Sequence, residues 1–139
     1  MPRGLLADDG GIDAESRFVD VGDATLHVVV AGPADGEPVL LLHGFPECWY
    51  AWHEYIEPLA TAGYRVLVPD QRGYNASEKP APISAYHIDT LADDVSGLLD
   101  ALGHTDTHLV GHDWGAYVAW WLGLHAPDRL RTLSILNVP

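Results

Sequence analysis

Short runs of β-branched and leucine residues alternate along this chain with stretches in which apolar side chains recur every three to four positions. Two β-rich runs come first, residues 17–21 and 25–30, and Gly22-Asp23 between them predicts an antiparallel hairpin. After the turn-rich Gly32-Pro33-Ala34-Asp35-Gly36, Val39-Leu40-Leu41-Leu42 is a continuous apolar run, the pattern of a strand buried on both faces. Trp49, Trp52, Ile56 and Leu59 then recur at helical spacing up to Gly63, and residues 64–68 form the next buried-strand candidate. Leu91, Val95, Leu98, Leu99 and Leu102 make one amphipathic face, with Asp89 or Thr90 as the expected cap and Gly103 as the stop. Residues 107–111 predict a strand, 116–125 an almost wholly apolar helix, and 130–136 a last strand. This alternation predicts an α/β fold: a mostly parallel sheet with an N-terminal antiparallel hairpin and helices on both faces. Residues 1–16, polar and rich in Gly and Asp, read as a flexible lead-in, and 17–139 as one layered unit without repeats.

Composition narrows the function classes. In 139 residues, 47% are hydrophobic, enough to build a core. The single cysteine, Cys48, excludes an internal disulfide framework, and it reads as a buried thiol rather than a nucleophile. No apolar run is long enough to span a bilayer, and the first residues turn acidic at once, so the expectation is a cytoplasmic protein without a membrane partner. Twenty acidic residues against seven basic ones, of which only Lys79 is a lysine, give a net charge of −13. Such a surface repels phosphate backbones and disfavours nucleic acid. It suits either a protein working in concentrated salt or an ordinary acidic one, and it leaves the oligomeric state open.

Eight histidines raise the question of a metal. His104, His108 and His112 are spaced by four, but on a strand four residues span about 13 Å, too far for one ion. His53-Glu54 begins like a zincin motif that lacks its second histidine. No phosphate-cradling glycine loop is present either, so neither a metal nor a cofactor is expected.

In a doubly wound sheet, chemistry gathers at the carboxyl ends of the strands. Three segments fall there: His43-Gly44-Phe45-Pro46-Glu47, Asp70-Gln71-Arg72-Gly73-Tyr74 and Gly111-His112-Asp113-Trp114-Gly115. The third follows a strand, precedes a helix and carries glycines two positions either side of Asp113. That is the layout of a nucleophile elbow, with a carboxylate where serine is usual. A carboxylate is ionised at neutral pH without a base and suits displacement at an alkyl carbon, which leaves an ester. The plainer reading makes Asp113 a helix cap. The backbone N–H groups of Phe45 and Trp114 are placed to form an oxyanion hole, with His43 as a hydrogen-bonder in its loop.

Taken together and in order, HGFPE-x-WY-x-W from His43, D-x-RGY-x-x-S-x-KP from Asp70 and GHDWGA from Gly111 resemble the α/β-hydrolase superfamily, and within it the epoxide hydrolases. The closing Leu136-Asn137-Val138-Pro139 resembles the stretch after their sixth strand. The resemblance runs from about residue 17 to the end. It implies that Asp113 attacks an epoxide carbon while tyrosines of a cap domain protonate the opening oxygen. A histidine oriented by an acid then activates water, and a diol leaves. By position, Asp113 is the nucleophile, the Phe45 and Trp114 amides form the oxyanion hole, and His43, Gly44, Pro46, Gly111, His112 and Gly115 support the motif. The partners implied are a small apolar epoxide and water. Haloalkane and haloacetate dehalogenases share the aspartate; the former resemble this chain less because they carry Asn at the position of Phe45, the fluoroacetate enzymes because they carry Arg at that of Trp114.

The base and its orienting acid have no candidate. His125 lies twelve helical positions past Asp113, roughly 18 Å away, and no segment corresponds to the cap. The expectation is therefore an N-terminal half that lacks the cap and C-terminal part, shows no turnover alone and is poorly soluble. Other classes remain: a non-catalytic α/β module that binds a small apolar ligand, or a truncated product.

Overall fold

The computed structural model describes residues 13–139. The expected lead-in therefore falls mostly outside the described residues, although its last two positions already belong to the first strand. Six strands form one sheet in the spatial order β1-β2-β4-β3-β5-β6. They are β1 (Glu15–Asp20), β2 (Thr25–Ala31), β3 (Pro38–Leu42), β4 (Arg65–Pro69), β5 (Thr107–His112) and β6 (Leu130–Leu136). β1 pairs antiparallel with β2 as the hairpin pattern predicts, and β2 also meets β4 antiparallel. The β4–β3, β3–β5 and β5–β6 pairs are parallel.

Three helices cover the sheet: α1 (His53–Thr61), α2 (Ile88–Ala101) and α3 (Trp114–His125). The two-residue period of a strand sorts the apolar side chains to the two faces. Val28, Val30, Leu40, Leu42, Leu67 and Leu109 join Val95, Leu98, Leu99, Val118 and Leu122 of α2 and α3. Their chain neighbours Val29, Val39, Leu41, Val66 and Val68 face the other way, onto Trp52 and Ile56. Burial of each such side chain is worth about 1.5–3 kcal/mol, which is why unbroken apolar runs form the centre of the sheet.

One boundary differs from the sequence reading. α2 starts at Ile88 with His87 at its N-cap and no side-chain cap. Neither Asp89 nor Thr90 caps it; Asp89 lies in the first turn and its carboxylate accepts the N–H of Thr90 at 2.9 Å. A one-turn 3-10 helix, Ile83–Tyr86, leads into it.

Arg72 fastens these layers together. Only 2% exposed, it donates from Nε and Nη2 to both oxygens of Asp94 on α2, at 2.9 and 2.6 Å. Its Nη2 also reaches Asp23 in the β1–β2 turn at 2.5 Å. Among the described residues, no helix is long and apolar enough to cross a membrane.

Candidate active site

β5 ends at His112 and α3 begins at Trp114, so the whole turn between them is Asp113. Its backbone sits at φ 55°, ψ −121°. That region costs a side-chain-bearing residue about 1–3 kcal/mol and persists only where the surroundings enforce it. The surroundings here are three glycines. A Cβ on Gly111 would lie 2.5 Å from the carbonyl oxygen of Gly115, and one on Gly115 would lie 2.4 Å from that of Leu42. A Cβ on Gly44 would lie 2.5 Å from Cβ of Asp113. Strand β3, its following loop and α3 thus touch backbone to backbone, and the tightness of that contact forces Asp113 outward.

The side chain of Asp113 does not cap the helix. Its main-chain carbonyl accepts the Ala116 N–H at 2.9 Å, while its Oδ2 accepts the N–H of Phe45 across the cleft at 2.9 Å. The helix-cap reading of this residue therefore does not describe it. The Phe45 amide, then the Trp114 amide, hold the carboxyl below the usual carboxylate range, against a slight opposing effect of burial. The group is an ionised acceptor of the Phe45 N–H, with the Trp114 amide next to it in the chain.

His43 keeps the Phe45 loop in place. It is fully buried, and burial depresses its imidazole below the ordinary histidine range. Its Nε2 accepts the N–H of Gln71 at 2.9 Å, so Nδ1 carries the hydrogen and donates to the Gly44 carbonyl at 2.9 Å. The Gln71 side-chain amide closes the link by donating to the carbonyl of His43 at 2.5 Å. Both imidazole nitrogens are thus occupied. Pro46 follows Phe45 through a cis peptide bond.

His112 faces Glu47 at 3.4 Å and the Asn137 amide at 3.2 Å, so the end of β5 is tied to both flanking loops. Phe45 and Trp114 are 63% and 50% exposed, and the Trp114 ring leans on Tyr117 with centroids 5.3 Å apart. Tyr74 stands edge-on to His43 at 4.8 Å, its hydroxyl pushed up by burial and then by the Asp113 charge.

The structure thus brings His43, Gly44, Phe45, Pro46, Gly111, His112, Asp113, Trp114 and Gly115 to one rim. Gln71, Tyr74 and Asn137 had no assigned role in the sequence reading. The first two fall in its rim segment at 70–74, which was the available signal. His125 ends α3, bonded at 3.0 Å to the Trp121 carbonyl and stacked on that ring. Among the described residues, no imidazole hydrogen-bonds the Asp113 carboxylate.

Residues 37–138 match the alpha/beta hydrolase fold family. The AB hydrolase superfamily protein YfhM of Bacillus subtilis is 50% identical over 123 residues, 88% of this chain and 43% of that protein. Epoxide hydrolase A of Mycobacterium tuberculosis is 48% identical over 123 residues, 88% of this chain and 38% of that one. Among solved structures, epoxide hydrolase VrEH1 of Vigna radiata superposes with a TM-score of 0.87 at 44% identity, over 91% of this chain and 40% of that one. Epoxide Hydrolase A of Mycobacterium thermoresistibile gives 0.88 at 44% identity, with 91% and 40% covered. The chain spans about two-fifths of the length of these relatives.

Proposed function

The chain belongs to the α/β-hydrolase fold family, and from that premise we propose that it carries the nucleophile half of an epoxide hydrolase. The observation that carries the reading is the Asp113 carboxylate, held in a strained turn between the amides of Phe45 and Trp114. Oδ2 is engaged by the Phe45 N–H, which leaves Oδ1 to attack. Oδ1 displaces the ring oxygen from an epoxide carbon; a C–O bond forms to the enzyme, the ring C–O bond breaks, and the alkoxide takes a proton from water. Water then adds to the ester carbonyl, and the two amides stabilise the resulting oxyanion. The alcohol that departs is a vicinal diol. The exposed rings of Phe45 and Trp114 offer the apolar wall that a small epoxide needs.

Among the described residues, no imidazole is hydrogen-bonded to the Asp113 carboxylate, and none is taken as the hydrolytic base. His43 is committed through both nitrogens, and His125 is held at the far end of α3. The 139-residue chain alone therefore accumulates ester without turning over.

Intact-mass spectrometry after treatment with a small terminal epoxide tests this. One adduct per chain is expected, mapped to Asp113 and absent in Asp113→Asn. Multiple turnovers by the purified chain would overturn the missing-base argument. Adduct formation with a haloacetate but with no epoxide would move the reading to the dehalogenases.

A further inference from the structure

Away from the elbow motif, three strands bring a second set of reactive groups into contact. Ser16 on β1 places Oγ 2.6 Å from Nε2 of His27 on β2. The Nδ1 of His27 lies 2.7 Å from Oδ2 of Asp70, the residue after β4. The other partners of Asp70 settle the direction of the second bond. Oδ1 accepts the Trp49 N–H at 2.8 Å, and Oδ2 accepts the Asn75 side-chain amide at 2.9 Å and the Ala76 N–H at 3.4 Å. Burial pushes this carboxyl up, but the bonds from His27, Trp49 and Asn75 outweigh it, so the group lies below its ordinary range. An ionised acceptor opposite Nδ1 requires that Nδ1 carry hydrogen. In the neutral form of the ring the lone pair is then on Nε2, facing the serine, and the Ser16 hydroxyl donates to it.

Burial divides these groups by role. Asp70 and His27 are 0% and 3% exposed, whereas Ser16 lies exposed on the edge strand. The exposed Phe18 ring packs at 5.4 Å from the imidazole, beside the hydroxyl, as an apolar shelf.

We propose that Ser16, His27 and Asp70 form a second nucleophilic site, in which Ser16 is acylated or phosphonylated by small activated aryl esters and phosphonyl fluorides. Ser16 Oγ attacks the carbonyl carbon as its proton passes to His27 Nε2. The bond from that carbon to the aryl oxygen breaks, and the aryl oxide leaves as a phenol after taking the proton from the imidazolium; with a phosphonyl fluoride, Oγ attacks phosphorus, the P–F bond breaks, and fluoride leaves as the imidazolium gives up its proton. The acyl group stays on Ser16. His27 is the general base; Asp70 is a positioning residue that fixes the tautomer and touches no reacting atom.

The purified protein is treated with p-nitrophenyl acetate and, separately, with a phosphonyl fluoride, and the adduct is located by peptide mapping. The expected result is one adduct, on Ser16, that is lost in Ser16→Ala. His27→Gln, checked for folding by circular dichroism, should slow labelling by about 100-fold or more. A measurement without a variant accompanies it: in denaturant, Ser16 should lose its advantage over the exposed Ser84 and Ser134. Labelling spread over several serines, or unchanged in Ser16→Ala, overturns the proposal. So does a folded His27→Gln protein labelled at the parental rate, or a Ser16 preference that survives unfolding. Peptide mapping separates this adduct from an ester on Asp113, so the two readings stand or fall apart.

Discussion

Gly115 and Gly123 lie two turns apart on α3, and alanine at these two positions should act in opposite directions. In a helix interior, alanine is favoured over glycine by about 1 kcal/mol; both glycines lie in terminal turns of α3, so that figure is the upper limit of the gain at either. The surroundings differ. At Gly115 the new Cβ would meet the backbone oxygens of Leu42 and His43 at 2.4 and 2.6 Å, where 3.0 Å is already prohibitive. The shortfall of roughly half an ångström falls on the backbone of one segment, Leu42–His43, and overpacking of this kind costs about 1–3 kcal/mol or somewhat more. At Gly123 the nearest atom is Cδ2 of Leu133 at 3.0 Å, the far end of a side chain that can turn, and the next is at 3.9 Å. Gly123→Ala should therefore be neutral to about 1 kcal/mol stabilising, and Gly115→Ala net destabilising by about 1–2 kcal/mol or more. Urea denaturation of both variants and the parent at one protein concentration measures the difference. The close-contact account of the elbow is refuted if Gly115→Ala matches the parent, or if Gly123→Ala loses as much as Gly115→Ala.

Two further outcomes follow from buried charge. Arg72→Met leaves the Asp94 carboxylate buried without its bidentate partner and should cost about 3–5 kcal/mol; adding Asp94→Leu should recover most of that, and denaturation midpoints of the two variants decide it. His43 is held below the ordinary histidine value of 6.5 by burial, opposed by its bond to the Gly44 carbonyl. Stability from the neutral ring is then complete above that value and is lost as pH falls through the native one. Melting temperature should rise with pH up to about 6.5, and His43→Gln should flatten that limb; an unchanged slope would sink the assignment.

Local patterns on the chain announced most of the fold. Val39 to Leu42 reads as a doubly buried strand because each residue does find core, Leu40 and Leu42 on one face and Val39 and Leu41 on the other. The symmetric glycines around Asp113 likewise point to a close crossing, since no helix cap requires them. The start of α2 was misread because Asp89 and Thr90 look like caps, whereas Asp89 spends its carboxylate on its own neighbour. What stayed illegible depends on strand order. β2 lies beside β4, and only that pairing sets His27 against Asp70 and fixes a buried polar contact between residues 43 positions apart. The link from Gln71 to His43 is hidden for the same reason: nothing in a glutamine's sequence neighbours tells which carbonyl it will meet.

The hydrogen bond from Phe45 to Asp113 makes the two oxygens of one carboxylate unequal. In a protein that joined these residues to a hydrolytic base, the reaction proposed above would never pass on the gripped oxygen, while the free one would leave with each diol and be replaced from water. After a single cycle in isotopically heavy water the label would be in the protein, and the first product would be unlabelled. From the second cycle onward each diol would carry the oxygen that the enzyme took from solvent one turnover earlier. The nucleophile would then be half permanent and half renewed, as long as the Phe45 amide keeps the carboxylate from turning over.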